Sequence, residues 1–237
     1  KEIKGLFRMI KLSNRLKKIA ELVDFGATVI DVGTDHGYVP NFLCEKKISR
    51  DIIATDISKN SLEKSIELTK KMGNEKFIRN ILANGIVKEN RDNIIIAGLG
   101  GIQIAEIIFN SIEISRSTKK LILQPMQKIN ILRRELNNMG FEIIDEEIIF
   151  EDDRYFEIII AKFNGKRKSL DELDFYFSKS LINKKDKVYL AYLSERKVEL
   201  EKILNKINKD NKRSIKRRDE LINLLKRTEE AIDEISN

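Results

Sequence analysis

Val29-Ile30-Asp31-Val32-Gly33-Thr34-Asp35-His36-Gly37-Tyr38-Val39-Pro40 is the stretch on which the reading of this chain turns. A β-branched run ends at Asp31, a glycine turn follows, and the next residues open a helix. Handing a strand over to a helix N-terminus in this way brings a nucleotide-like ligand close to the backbone. The same stretch contains His36, the only histidine of the protein.

Upstream, apolar residues at 12, 16, 19, 20 and 23 have helical spacing, with Ser13 as cap. Residues 1–8 match no template and carry no fold argument. Downstream, strands and helices alternate. Pro40–Glu45 reads as helix, Asp51–Asp56 as a buried strand, and a helix capped by Ser58 runs to Met72-Gly73. Phe77–Leu82 and Asn93–Ala97 read as strands, and Gly100-Gly101 opens a helix through Ile104 and Ile108. Lys120–Gln124 is a fifth strand, and Ile129–Met139 is a helix closed by Gly140. Two strands then follow with no helix between them, Phe141–Phe150 and Phe156–Phe163, so they form a hairpin. Such an alternation predicts a mostly parallel sheet covered on both faces, and the hairpin adds one antiparallel strand. Seven strands so arranged fit methyltransferases better than dehydrogenases, whose second half repeats the βαβ unit.

Beyond the polar break Asn164-Gly165-Lys-Arg-Lys168 the character changes. Strand-like runs stop and two helical seams appear. One carries Tyr189, Leu193, Arg196, Leu200, Ile203 and Ile207; the other carries Leu221, Leu225, Thr228, Ile232 and Ile235. With a polar turn at Asn208–Arg213 between them, they predict a coiled-coil-like helical hairpin. The expected division is a catalytic domain over 9–163 and a basic helical domain over 164–237. Residues 1–160 carry 25 Lys/Arg against 24 Asp/Glu, and residues 161–237 carry 20 against 14. The net charge of +7 therefore lies almost wholly in the last third, which points to an anionic partner such as RNA. No run reaches the roughly 20 apolar residues of a membrane span, and the first residues show no positive-then-apolar leader pattern. The single cysteine, Cys44, excludes an internal disulfide and a Cys-based zinc site, and it reads as a small buried hydrophobe. A cytoplasmic, metal-free, monomeric protein without membrane contact is expected.

The motifs narrow the ligand. Gly33 and Gly37 leave room for close approach, but Asp31 and Asp35 flank them, and two carboxylates repel a pyrophosphate. The Gly-x-Gly-x-x-Gly spacing of dinucleotide sites is also absent. A ligand carrying an ammonium and a sulfonium suits such a turn, and S-adenosylmethionine is one. Asp56 ends the second strand about 20 residues on, where a carboxylate accepts from both ribose hydroxyls. Asn84-Gly85 offers an amide and open backbone to adenine. Ala97-Gly98-Leu99-Gly100-Gly101 follows the fourth strand, where glycines admit a ligand or base. Gln124-Pro125 ends the fifth strand at the same edge and offers an amide to a substrate.

These stretches, together with Lys11-Leu-Ser-Asn-Arg-Leu16 and Leu121-Ile-Leu-Gln-Pro125, resemble the bacterial tRNA (adenine-22-N1)-methyltransferase family from about Met9 to the end. The resemblance implies an α/β fold with a seven-stranded Rossmann-like class I methyltransferase sheet, and a C-terminal helical hairpin. It also implies methyl transfer from S-adenosylmethionine to N1 of an adenine in the tRNA D-arm, with tRNA as partner. The positions it implies for cofactor contact are Asp31, Gly33, Asp35, Gly37, Asp56, Asn84 and Gly85, with Arg15 at the mouth of the site; Thr34, Ile57 and Ala83, beside them in the chain, complete the expected cofactor-binding set. For placing the base, the residues themselves offer Asp35, His36, Tyr38, Gly98 and Gln124. The family's usual tyrosine before Glu157 is Phe156 here, and Tyr155 is displaced by one, which turns its phenol to the other face of the strand. Two other readings fit the residues less fully: a small-molecule methyltransferase with a helical lid, and a non-catalytic RNA-binding module.

Overall fold

The computed structural model describes residues 10–207 and 212–237. The expected domain start at Met9 and most of the expected turn at Asn208–Arg213 lie outside the described residues. The described strands are β1 (Val29–Val32), β2 (Ile52–Asp56), β3 (Ile78–Leu82), β4 (Asn93–Leu99), β5 (Lys120–Pro125), β6 (Phe141–Glu151) and β7 (Arg154–Phe163). They form one seven-stranded sheet in the order β3-β2-β1-β4-β5-β7-β6. β1 to β5 pair in parallel, while β7 runs antiparallel to both β5 and β6, as the hairpin predicted.

Central parallel strands must be apolar on both faces, because helices cover both. Ile30, Ile94 and Ile96 pack with Ile104 and Ile108 of α4 (Gly101–Asn110) and with Leu132 and Leu136 of α6 (Ile129–Asn138). On the opposite face Val29, Ile95 and Ile122 meet Ile19 of α1 (Asn14–Glu21) and Leu43 of α2 (Tyr38–Glu45), with Cys44 buried beside them. The caps fall where the sequence placed them. Ser13 accepts from the Leu16 N–H, Ser58 accepts from the Ser61 N–H at the start of α3 (Lys59–Met72), and Gly73 ends α3 at φ +68°.

Three short elements were not foreseen: α5 (Ile112–Ser117), a 3-10 turn at Glu172–Tyr176 and α7 (Lys179–Asn183). Six residues or fewer hold too little periodicity to read. After α7 come the long helices α8 (Lys187–Lys206) and α9 (Lys212–Ser236). Tyr189, Leu193 and Leu200 of α8 pack with Leu221, Leu224, Ala231 and Ile235 of α9 and with Ile148 of β6. The expected seam is therefore incomplete in α9, where Leu224 and Ala231 join it because this helix meets α7 as well as α8. In α8, Ile203 is exposed (44%).

A buried ionic cluster ties the helical arm to the sheet. The Arg133 guanidinium of α6 donates through Nε to Glu146 (2.9 Å), through another nitrogen to Glu157, and to the Phe175 carbonyl (3.3 Å). The Tyr189 hydroxyl, buried beside this cluster, accepts from the Ser178 N–H (2.9 Å). Tyr155 points away from the α1 face, as its displaced register predicted, and its phenol donates to Glu195 of α8 (2.6 Å).

Candidate active site

β1 neighbours β2 on one side and β4 on the other, so the chain leaves β1 and β4 in opposite directions. Crevices open outside the carboxyl ends of strands at such a switch point. A cavity of about 500 Å³ lies there, and its walls come from the ends of β1, β2, β3 and β4, the start of α2, and α1 and α4.

The floor is the opening turn. Thr55 of β2 accepts from both the Gly33 and Thr34 N–H groups (2.9 Å each), which pins the turn after β1. Gly33 takes φ +72°, a conformation that side chains disfavour. Asp31 is buried, and its Oδ2 accepts from the Thr34 hydroxyl (2.7 Å). Burial and the nearby Asp56 push its carboxyl up to about 6. An ammonium in the cavity therefore finds an acceptor that is already partly desolvated and gains from its charge.

Asp56 is held from two sides, with Oδ2 accepting from the Asp35 N–H (3.0 Å) and Oδ1 from the Ser58 N–H (2.8 Å). Each oxygen accepts one backbone N–H and so keeps capacity for a second donor, as a vicinal diol requires. Ile57, 70% exposed, stands beside Asp56 at the cavity wall. Ala83, Asn84 and Gly85 form the wall after β3, where the Gly85 carbonyl accepts from the Thr55 hydroxyl (3.0 Å). The Asn84 amide is exposed and has no protein partner among the described residues. At the other end the half-buried Arg15 guanidinium enters the cavity from α1. It forms no ion pair among the described residues.

Asp35 and Tyr38 line the same cavity, and the His36 and Tyr38 rings stack at 5.3 Å with an interplanar angle of 11°. His36 sits just outside the lining, half-exposed, with Nε2 3.7 Å from Asp35. Gly98 lines the cavity at a bulge between Ala97 and Leu99, with φ +79° and open space where a side chain would stand.

Three expectations are corrected by the packing. Gly37 does not line the cavity: a Cβ there would fall 2.3 Å from Ser65 Oγ, so this glycine lets α2 cross α3 closely. Gly101 likewise serves the fold, because a Cβ would fall 2.4 Å from the Lys128 carbonyl oxygen. Gln124 is wholly buried and offers nothing to a substrate. Its amide nitrogen donates to the Pro125 carbonyl (2.9 Å), and its oxygen accepts from Arg15 (2.6 Å).

The sequence reading missed Leu16, Ser61, Gln103 and Ile107 in the lining. Gln103 and Ile107 stand four apart on one face of α4, a spacing that carries the signal once the sheet edge is known.

The donor set is that of a nucleoside bearing an amino acid: carboxylates for an ammonium and a diol, a free amide and apolar wall for a purine, and a cation for a carboxylate. Together with the strand order 3-2-1-4-5-7-6, it defines an S-adenosylmethionine-dependent methyltransferase of class I. A methyltransferase-domain family model matches residues 12–159. The tRNA (adenine(22)-N(1))-methyltransferase of Bacillus subtilis (strain 168) is 30% identical over 165 residues, covering 68% of this chain and 69% of that protein. The crystal structure of the B. subtilis M1A22 tRNA methyltransferase TrmK is 27% identical, with a TM-score of 0.85 over 94% of this chain and 99% of that one. M. capricolum TrmK in complex with the cofactor product S-adenosyl-homocysteine is 32% identical, with a TM-score of 0.82 over 94% and 99%. The chain belongs to the tRNA (adenine(22)-N(1))-methyltransferase family.

Proposed function

We propose that this protein methylates N1 of the adenine at position 22 of tRNA in the cytoplasm, with residues 9–163 as the catalytic unit and 164–237 as the RNA-docking arm. The observation that carries this reading is the convergence of Arg15, Asp31, Asp56 and Asn84 on one cavity at the switch point. Asp31 takes the cofactor's ammonium, Arg15 its carboxylate, Asp56 the ribose hydroxyls and Asn84 the adenine edge. S-adenosylmethionine supplies a methyl group on a positively charged sulfur when bound.

Adenine N1 has an in-plane lone pair, so no general base is needed. The protein's work is to hold the base in line and to stabilise a ring that becomes cationic. N1 is a pairing edge, so the base must be unpaired or flipped out to enter. The stacked, solvent-facing rings of His36 and Tyr38 offer it a surface. The exposed Asp35 carboxylate beside them accepts from the exocyclic amine and gains strength as positive charge spreads into the ring.

The arm's charge supports RNA docking. Between 202 and 218 the sequence carries eight Lys/Arg and one Asp, whereas 219–237 carries two Lys/Arg and six Asp/Glu. Two of the arm's cations pair within or below it, Lys197 with Glu229 and Arg227 with Asp174. Toward the tip Lys202, Lys206, Arg213, Lys216 and Arg218 form no ion pair among the described residues. Unpaired cations grouped at one end are suited to a phosphate backbone.

The test supplies labelled S-adenosylmethionine and unmodified tRNA transcripts, then maps reverse-transcription stops, which N1 methylation causes. A stop at position 22 that disappears when A22 is replaced by G is the expected result. No incorporation into any transcript with an adenine-bearing D-arm would overturn the proposal.

A further inference from the structure

We propose that Gln124 is a positioning residue that sets the cofactor affinity of the site by holding the Arg15 guanidinium toward the cavity. This rests on the reading of Arg15 as the partner of the cofactor's carboxylate. Arg15 stands in the first turn of α1, and a free arginine side chain has many rotamers to lose on binding. Here it is held on three sides. The Gln124 side-chain oxygen accepts from it at 2.6 Å, and the guanidinium lies over the Phe156 ring at 5.4 Å. Glu151, at the end of the β6–β7 hairpin, accepts from the Asn14 N–H (2.5 Å) and the Arg15 N–H (3.4 Å), fixing the helix turn below.

The chemistry of the tether matters as much as its geometry. Gln124 is wholly buried, and its nitrogen is committed to the Pro125 carbonyl, so its oxygen alone can face Arg15. An amide oxygen orients a guanidinium without neutralising it. A glutamate would form an ion pair there and compete with an incoming carboxylate. A phenylalanine face likewise holds the cation without a counter-charge. Arg15 is thus preorganised without an ion-pair partner among the described residues, the Glu151 carboxylate acting on it only through space, so less ordering entropy opposes ligand binding.

The experiment compares two ligands on the full chain by titration calorimetry: S-adenosylhomocysteine, which has the carboxylate, and 5′-methylthioadenosine, which lacks it. Gln124→Met keeps the volume and removes the acceptor, and Gln124→Asn shortens its reach; thermal melting verifies that each variant folds. The expected result is S-adenosylhomocysteine binding weakened about tenfold, as for loss of a hydrogen bond to a charged group, with 5′-methylthioadenosine binding unchanged. Equal loss for both ligands, or no loss for either, in the folded variants overturns the proposal. If Gln124→Met does not fold, Gln124→Asn decides. Arg15→Ala separates the underlying reading. If it does not distinguish the two ligands, Arg15 is not the carboxylate partner and both inferences fall. If it distinguishes them and the Gln124 variants do not, only the role of Gln124 is lost.

Discussion

At the scale of single residues, Asp31 shows how burial changes the titration of a carboxylate that lines the cavity. Its carboxyl is pushed up to about 6 by burial and by Asp56, so in the folded protein it binds its proton more tightly than in the unfolded chain. The folded state is then favoured most at low pH, and this contribution is lost as pH rises from the ordinary aspartate range through about 6. Ligand binding runs the other way, because an ammonium prefers the ionised form. Calorimetry should find S-adenosylhomocysteine affinity rising as pH increases through about 6. Asp31→Asn should bind more weakly at neutral pH and lose that dependence. A parallel pH dependence in Asp31→Asn would assign the titration to another group.

At the scale of elements, the packing of α2 on α3 depends on one missing side chain. Gly37 sits at φ +70° and 2.3 Å would separate an added Cβ from Ser65 Oγ. Gly37→Ala therefore combines a strained backbone with overpacking, and chemical denaturation should show a loss of about 1–3 kcal/mol. The ionic cluster between α6 and the hairpin makes a second prediction. Arg133, Glu146 and Glu157 are all buried, and burial pushes the Glu146 carboxyl up while the Arg133 charge pulls it down. Arg133→Met leaves two carboxyl groups facing each other without a counter-ion, at a cost of about 3–5 kcal/mol in unfolding experiments. The loss should shrink as pH falls and the carboxyls protonate. A destabilisation independent of pH would mean that packing, not charge, dominates there.

At the scale of the whole molecule, the β6–β7 hairpin joins the cavity side of the sheet to the helical arm. On one face Glu151 and Phe156 hold the start of α1 and Arg15, and Lys18 of α1 pairs with Glu147 (3.3 Å). On the other face Tyr155 bonds Glu195 of α8, and Lys184 bonds the Glu146 carbonyl (2.9 Å). From that foothold α8 runs 20 residues, a length of about 30 Å, toward the end where the unpaired cations gather. Replacing Lys202, Lys206, Arg213 and Lys216 with glutamate should weaken tRNA binding and flatten its salt dependence, by about 0.9 in the log–log slope for each phosphate that is no longer neutralised. S-adenosylhomocysteine binding should not change. Fluorescence anisotropy across a salt series checks the first and calorimetry the second, and an unaltered slope would place the RNA elsewhere on the protein.

The sequence by itself determined the order of the strands and the longer helices, the caps at Ser13, Ser58 and Gly73, the antiparallel hairpin and the acidic turn after β1. Those features are written in short-range patterns: periodicity, glycine and proline punctuation, and the spacing of Asp31 and Asp56. That Asp31, Asp56 and Asn84 share one cavity was legible because each lies at or just beyond the end of a strand, and parallel strands bring their carboxyl ends to one edge. What only the tertiary structure decided is which side chains face the opening once that edge is built. Gly37 and Gly101 were legible as close approaches but not for what approaches them, since helix–helix and helix–loop crossings leave no local trace. The turn of Gln124 inward to Arg15, 109 residues away in the chain, depends on the pairing of β5 with β4 and on the seat of α1 against the hairpin. Contacts made across that distance are set by the packing of whole elements, and no window of sequence contains both partners.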